Sequence, residues 1–162
     1  MIGSARPRNS VLSQISDTEY SRLAKLLMPV DLPLGKVLSE PNELIEYCYF
    51  LNTGLISTDA MTKSGDSVEI GLIGREGFAG LSAIFGQPRI PHRVVIQGSG
   101  AGLRIRSVVL RDEFLKGGEL QRLVLAFAYL QTIQIAQSVL CNSAHEIESR
   151  LARWLLFSAD RM

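Results

Sequence analysis

Residues 71–82, near the middle of the chain, constrain its fold more than any other stretch. They read Gly-Leu-Ile-Gly-Arg-Glu-Gly-Phe-Ala-Gly-Leu-Ser, with glycine at 71, 74, 77 and 80. Glycine adopts positive φ angles and lets the backbone approach other groups closely. Apolar runs at 68–73 and 78–85 flank the stretch, which predicts a strand, a tight turn and one or two helical turns. The free N–H groups of such a helix start could bind a phosphate; the alternative is a set of turns without a ligand.

The composition is that of one ordinary domain. The chain has 162 residues, of which 46% are hydrophobic, and a formal net charge of +1. It can therefore bury a core, but it lacks the strong positive charge of a nucleic-acid-binding surface. Its two cysteines, Cys48 and Cys141, are far apart in sequence and indicate neither a disulfide framework nor a cysteine-rich metal site. We expect a cytoplasmic location, without a signal peptide or a membrane-spanning apolar run.

Short β runs separated by turns dominate the chain up to residue 106. Residues 1–9 are polar and predict a loose arm. Ser16 and Glu19 have the spacing of a capping box, in which each side chain accepts from the other residue's backbone N–H, ahead of a short helix. Seven or eight short strands would then form an antiparallel sandwich or barrel. The predicted strands cover residues 30–34, 36–39, 47–51, 55–61, 68–73, 93–97 and 103–106.

A long helix is predicted after these strands. Ser107 can cap a helix over 108–116, and residues 119–141 contain neither proline nor glycine, so this second helix would be about 35 Å long. Its apolar residues lie on more than one side, and so it must be buried on more than one side. We expect a second copy of the helix to cover the face that the sandwich leaves free; the alternative is a helix enclosed by its own domain. The predicted dimer contacts are Leu123, Phe127, Leu130, Ile133, Gln134, Gln137 and Leu140.

The last twenty residues predict one more helix. Asn142 and Ser143 should break the long helix, and Ser143 with Glu146 has the pattern of a second capping box. The amphipathic segment that follows contains Trp154 and Leu155. One helix of this kind leaves apolar surface uncovered. We therefore expect a further domain to follow in the complete protein.

Four stretches, taken in order, resemble the cyclic-AMP receptor and fumarate–nitrate regulator (Crp/Fnr) family of bacterial transcription factors. They are residues 49–51 with Gly54, residues 69–71 running into Gly77, residues 103–105, and residues 148–155, which look like the first helix of a winged helix-turn-helix domain. The resemblance extends from about residue 12 to residue 162. It implies a mainly β fold with flanking helices: a cyclic-nucleotide-binding-like antiparallel β-roll (a double-stranded β-helix or jelly roll) followed by a long dimerisation helix.

The resemblance also implies a division of the chain and a function. Residues 1–118 would be the sensor roll, 119–141 the dimerisation helix, and 142–162 the start of a truncated DNA-binding domain. An effector would lie between the roll and the long helix of a homodimer. DNA would be read only by a recognition helix beyond Met162. Neither enzymatic activity nor a membrane partner is implied.

The sequence departs from cyclic-nucleotide binders of this fold at two anchors. Those proteins continue the glycine turn as Phe-Gly-Glu-Leu, where the Glu binds the ribose, and a later arginine binds the cyclic phosphate. Here Gly80 stands in place of the glutamate, and Ile90 and Pro91 stand where the arginine and the serine or threonine after it would be. Since a buried phosphate without its partner is unfavourable, we expect tight binding of cyclic AMP or cyclic GMP to be lost. The candidate pocket residues are Gly71, Gly77, Phe78, Ala79, Gly80, Leu81, Ser82, Arg89, His92 and Arg93.

Arg89, His92 and Arg93 leave two interpretations open. They could form a pocket for a small anionic effector in place of the lost phosphate site, or they could belong to a solvated loop. No cofactor is predicted with certainty. Two scattered cysteines cannot hold an iron–sulfur cluster, and His92 and His145 are poor candidates for haem or for a cupin-type metal site. A redox switch at Cys48 or Cys141 is a weaker alternative, as is a stand-alone module that binds a cyclic nucleotide or small anion and does not act on DNA.

Overall fold

A computed structural model describes residues 6–62 and 65–161. In these residues eight strands form two four-stranded antiparallel sheets, with the orders β1-β8-β3-β6 and β2-β7-β4-β5. The predicted antiparallel β-roll is confirmed. The strands are β1 (Met28–Leu32), β2 (Val37–Ser39), β3 (Tyr47–Leu51), β4 (Leu55–Met61), β5 (Ser67–Ile73), β6 (Phe78–Ala79), β7 (His92–Gly98) and β8 (Gly100–Arg106).

Helices flank the roll at both ends of the chain. One long helix, α5, leaves the roll and a shorter one, α6, follows it. The predicted order of a roll followed by a long helix is confirmed as well. The helices are α1 (Ser10–Gln14), α2 (Asp17–Ala24), α3 (Leu81–Ile84), α4 (Ser107–Leu115), α5 (Glu119–Ala144) and α6 (Ile147–Arg161).

A row of aromatic rings connects the core of the roll with the long helix. Phe50 of β3 stacks on Phe78 of β6 with ring centroids 4.8 Å apart. Phe78 in turn lies 5.4 Å from Phe127 of α5. All three side chains are buried, and each such burial contributes about 2–3 kcal/mol. The first half of α5 is therefore part of the core and not an appendage to it.

Asn9 belongs to the core of the roll, which corrects the prediction of a loose arm over residues 6–9; residues 1–5 lie outside the described part. Its side-chain oxygen accepts hydrogen bonds from the first N–H groups of α1, Val11 and Leu12, each at 3.2 Å. Its side-chain nitrogen donates to the carbonyl oxygens of Leu51 at 3.1 Å and Gly77 at 2.7 Å. The fully buried Asn9 thus links α1, β3 and the glycine turn.

The capping box predicted at Ser16 and Glu19 forms only in part. The Ser16 hydroxyl accepts from the Glu19 N–H at 3.4 Å. The Glu19 carboxylate instead accepts from the backbone N–H groups of Glu119 and Leu120, both at 2.9 Å, at the start of α5. The Glu119 carboxylate accepts from the Ser16 N–H at 2.5 Å. Helices α2 and α5 therefore cap each other, an arrangement in which each carboxylate lies at the positive end of a helix dipole.

Three serine-based predictions about helix ends are corrected. Ser143 lies inside α5, where its hydroxyl donates to the Val139 and Leu140 carbonyls at 3.0 Å. The second capping box is therefore not formed, and α5 ends at Ala144 instead of Cys141. Ser107 does not cap α4 either. Its hydroxyl donates to the Ile45 carbonyl at 2.7 Å, so it ties the first turn of α4 to the segment before β3.

Candidate functional site

A cavity of about 260 Å³ lies between the roll, the glycine turn and the long helix. Strands β4, β5 and β7 form one wall of the cavity, residues 78–82 form a second wall, and α5 forms a third. The α5 wall consists of Phe127, Gln131 and Ile135, which follow one another at intervals of four residues and so share a helix face. The other lining residues are Thr58, Ile70, Gly71, Ile73, Phe78, Ala79, Gly80, Leu81, Ser82, Ile90, His92 and Val94.

Most of the sequence-predicted pocket residues lie at this cavity, and three do not. Gly77 lies behind the wall, beneath the Phe127 ring, and Arg89 and Arg93 lie outside the cavity. Lining residues that the sequence reasoning missed include Thr58 and Val94 on the strands and Gln131 and Ile135 on α5. The predicted residues that line the cavity are Gly71, Phe78, Ala79, Gly80, Leu81, Ser82 and His92.

Arg89 and Arg93 are held by other groups. Arg89 donates from Nη1 to the Asn42 carbonyl at 2.7 Å and lines a separate surface cleft. The Arg93 Nε lies 3.4 Å from the Glu40 carboxylate. Along β7 alternate side chains point to opposite faces, and His92 and Val94 take the face toward the cavity. The cationic cluster suggested by the sequence is therefore divided between different surfaces, and only His92 reaches the cavity.

Gly80 occupies a position at which a larger side chain meets two obstacles. Its φ angle is 100°, in the left-handed region that favours glycine. A Cβ built at Gly80 would also lie 2.8 Å from the sulfur of Cys48 on the adjacent strand. The backbone and the neighbouring strand at residue 80 therefore favour a residue without a side chain.

Four polar side chains face the cavity without a hydrogen-bond partner in the described part of the chain. They belong to Thr58, Ser82, His92 and Gln131. The other lining side chains are apolar or absent, and none is a carboxylate, guanidinium or ammonium group. The cavity wall is thus mainly apolar, and hydrogen-bonding groups are available from the strands, from the turn after β6 and from α5.

The long helix is attached to the cavity wall at two points. Phe127 packs into the space above Gly77 so closely that a Cβ there would overlap its ring. Two turns further along α5, the Gln134 side chain donates to the Leu72 carbonyl at 3.1 Å. A displacement of the glycine turn or of β5 would therefore act directly on α5 through these two contacts.

The outer part of α5 exposes apolar side chains. Of the predicted dimer contacts, Phe127 is buried against its own roll and Gln134 is hydrogen bonded to it, whereas Leu130, Ile133, Gln137 and Leu140 are exposed. Leu123 packs beside the core.

The structure also revises the expectation that no segment is apolar enough to span a membrane. Helix α5 has 26 residues and contains a window with mean hydropathy 1.5, of which 17% is buried. By length and composition alone this helix could cross a membrane. One such helix is weak evidence for a membrane span, because a helix that packs on a protein core passes the same test.

Helix α6 folds back onto the same end of the roll. The Trp154 Nε1 donates to both carboxylate oxygens of Glu69 at 3.0 and 3.1 Å. Arg161 Nε pairs with Glu76 at 2.8 Å, and Glu76 accepts from the Gly74 N–H at 3.0 Å. Burial raises the pKa of the Glu69 carboxyl, and the Trp154 and Gln97 hydrogen bonds only partly oppose this. The end of the chain thus contacts β5 and the glycine turn.

The residues that bear on redox and metal chemistry are buried or dispersed. Cys48 is fully buried, its thiol donates to the Gly80 carbonyl at 3.5 Å, and burial raises the pKa of that thiol far above its usual value. A thiol in this state is a poor nucleophile. Within residues 6–62 and 65–161, no group of three or more histidine, cysteine, aspartate or glutamate side chains is placed to hold a metal ion.

Solved structures with this fold include bacterial transcriptional regulators. A regulator of the Crp/Fnr family from Eubacterium rectale matches with a TM-score of 0.75 at 9% identity, over 90% of this chain and 68% of that one. The c-di-GMP-responsive global regulator CLP of Xanthomonas campestris matches at 0.72 and 12% identity, over 86% and 70% of the two chains. FixK2 of Bradyrhizobium japonicum matches at 0.71 and 14% identity, over 84% and 67%.

About a third of each of these three regulators lies outside the match. No family model matches the chain, and no curated protein matches it. At these identities the likeness concerns the fold. The chain has the fold of the cyclic-nucleotide-binding-like sensor region found in Crp/Fnr transcriptional regulators.

Proposed function

We propose that this chain is the effector-sensing and dimerisation region of a Crp/Fnr-type transcriptional regulator. One observation carries the proposal: Phe127, Gln131 and Ile135 of α5 form a wall of the cavity, while the other side of α5 is apolar and exposed. A molecule in the cavity would contact the helix through which two copies associate. Such a ligand controls the regulator if it binds one arrangement of the helices more tightly than another.

The proposed sensor is not a tight binder of cyclic AMP or cyclic GMP. The two positions that hold ribose and phosphate in such binders carry Gly80 and Ile90, and both of these residues line the cavity. Arg89, the nearest arginine in sequence, donates to Asn42 elsewhere. A phosphate in this cavity would lose its hydration without gaining a guanidinium partner, which is strongly unfavourable.

The dimer contact is proposed to run along the exposed face of α5. Tyr129, Ile133 and Leu140 are exposed there by 67%, 46% and 53%. With Ala126 and Ala136, which are exposed as well, they repeat at alternating intervals of three and four residues, the spacing of a coiled-coil seam. Association along this seam would cover the apolar side chains that the roll leaves open.

Sedimentation equilibrium of the chain tests the dimer. We expect a dimer at micromolar concentration, a monomer for Ile133→Glu, and a dimer for the matched control Thr132→Glu, which introduces the same charge one residue away from the seam. A monomeric wild-type chain would contradict the proposal. Partition of α5 into detergent micelles, without dimerisation in aqueous buffer, would identify it as a membrane segment instead.

The regulatory part of the proposal requires the complete gene product, because the match to known regulators leaves about a third of their length unmatched. The division into a sensor roll (1–118), a dimerisation helix (119–141, extended by the structure to Ala144) and the start of a DNA-binding domain (142–162) belongs to this proposal. We expect the complete protein to shift a DNA fragment from its own promoter region in a gel. A dimer that binds no DNA would favour a stand-alone ligand-binding module.

A further inference from the structure

The chemistry of the cavity narrows the class of molecule that it can hold. This inference rests on the proposed sensor function and goes beyond it. We propose that the effector is a small, uncharged, mainly apolar molecule that hydrogen bonds to Thr58, Ser82, His92 or Gln131 and packs on the α5 wall.

The absence of charged partners excludes most ionic ligands. Within the described residues, no side chain at the cavity carries a fixed charge, and His92 is the only titratable group that lines it. Transfer of an ionised carboxylate or phosphate into such a site is strongly unfavourable unless a counter-charge is present. Arg89 and Arg93 are engaged by Asn42 and Glu40 outside the cavity, so neither supplies that charge.

The apolar wall and the unpartnered polar groups indicate what would bind. Ile70, Ile73, Val94, Phe127 and Ile135 are among the residues that present apolar surface. Four polar side chains, those of Thr58, Ser82, His92 and Gln131, have no hydrogen-bond partner among the described residues. Ligand sites combine mostly apolar walls with a few placed polar groups in this way.

The size of the cavity sets the scale of the ligand. Its volume of about 260 Å³ is at the lower end of ligand sites, which span about 300–1,000 Å³. A compact ring system with one amide or hydroxyl group suits this volume. Because Phe127, Gln131 and Ile135 all belong to α5, such a molecule would contact the roll and the long helix at once.

The test compares two probes of the same shape that differ in charge. Indole-3-carboxamide and indole-3-carboxylate are titrated into the ¹⁵N-labelled chain, and the amide signals of Gly71, Gly80 and Ser82 are followed. We expect the carboxamide to shift these signals and to bind at least about tenfold more tightly than the carboxylate, a difference of about 1.4 kcal/mol. Equal or tighter binding of the carboxylate would overturn the proposal.

Two variants test whether the preference for the uncharged probe arises at the cavity. Ile90→Arg places a guanidinium at the cavity, where Ile90 is only half-buried, and should reverse the preference in favour of the carboxylate. Arg89→Ala removes the neighbouring guanidinium outside the cavity and should leave the preference unchanged. A stronger preference for the carboxamide in Arg89→Ala would show that the Arg89 guanidinium acts on the bound carboxylate in the wild-type chain and would overturn the proposal.

Further pairs of an amide and its matching acid test probes of other shapes. Benzamide with benzoate and cyclohexanecarboxamide with its acid are titrated in the same way. If no uncharged probe shifts the cavity signals at millimolar concentration, the cavity does not take this class of ligand and the inference fails. Dimerisation and DNA binding are measured separately. Failure of the ligand titrations would leave the sensor and dimer proposal intact, and failure of the dimerisation or DNA-binding measurements would leave the inference about cavity chemistry intact.

Discussion

The ring of Phe127 occupies the space in which a side chain at residue 77 would lie. Gly77 is a glycine because the long helix passes directly over the glycine turn, and a Cβ there would overlap the Phe127 ring. The same ring lines the cavity and contacts Phe78. One contact therefore joins the turn, the cavity and the helix that is proposed to dimerise.

Gly77→Ala should destabilise the chain by about 1–3 kcal/mol, because the added methyl group overpacks the contact with Phe127. Gly71→Ala is the matched control on the same stretch, since its Cβ would meet only the Gln131 side-chain oxygen, at 3.7 Å. Urea unfolding of both variants measures the difference. Adding Phe127→Leu to Gly77→Ala should recover part of the loss, and strict additivity of the two changes would argue against a direct contact.

Removing the Glu19 carboxylate should weaken the start of α5. Glu19→Gln keeps the shape of the side chain but replaces one acceptor oxygen that binds the Glu119 and Leu120 N–H groups and removes the charge at the helix N-terminus. We expect a loss of about 1 kcal/mol in the free energy of unfolding. Asp112→Asn removes an exposed carboxylate without a described partner and should change stability little. Equal effects of the two variants would contradict the cap.

Glu113 should contribute stability that disappears in acid. Burial raises the pKa of its carboxyl, but hydrogen bonds from Lys116 and Arg22, the latter at 2.7 Å, outweigh burial and hold the pKa below its usual value. The folded state therefore favours the ionised form. Its contribution is present above the unfolded pKa of about 4.3 and is lost as the pH falls through the lower folded pKa.

Glu113→Gln should consequently lower the free energy of unfolding by about 1–3 kcal/mol at neutral pH and by progressively less below about pH 4. Urea unfolding at a series of pH values measures both effects. A difference between wild type and variant that persists unchanged in strong acid would show that the variant acts through packing and not through the ion pairs.

The docking of α6 on the roll should depend on pH in the opposite direction. Burial raises the pKa of Glu69, and the docked state therefore favours the protonated carboxyl. This contribution to docking is complete below the undocked pKa of about 4.3 and is lost as the pH rises through the higher docked value. The negative charge of Asp59 raises the pKa of Glu69 further, whereas the positive charge of Arg153 lowers it.

Trp154 is the only tryptophan, so its fluorescence reports this docking. We expect the emission to shift toward that of solvent-exposed tryptophan as the pH rises, and Glu69→Gln to abolish the shift while keeping an acceptor for the indole N–H. Glu148→Gln, on the same helix and exposed, is the control. A shift that survives in Glu69→Gln would assign the titration to another group.

The strands were the most predictable part of the fold. The bounds of β3 and β4 agree with the sequence prediction, because apolar, β-prone residues end at clear turns such as residues 52–54. The prediction placed the start of β8 three residues too late, since it treated Gly100 as part of a turn, although Gly100 pairs with Leu32. Glycine in a strand carries little local signal, and only the partner strand decides its state.

The site was predictable only in part. The glycine turn lines the cavity, and alternation along β7 could have separated Arg93 from His92 and Val94. The i, i+4 spacing of Phe127, Gln131 and Ile135 was also visible, but α5 has apolar residues on more than one side, so its sequence does not show which face meets the roll. Similarly, the long-range hydrogen bonds of Asn9 depend on residues more than forty positions away.

A calorimetric titration of the purified chain with cyclic AMP and cyclic GMP tests the central claim most directly. The account predicts no saturable heat up to millimolar nucleotide, because the proposed ribose and phosphate positions carry Gly80 and Ile90 and none of the described residues that line the cavity is an arginine. Saturable binding at micromolar affinity, about −8 kcal/mol, would contradict it and would mean that the phosphate finds a partner in this cavity.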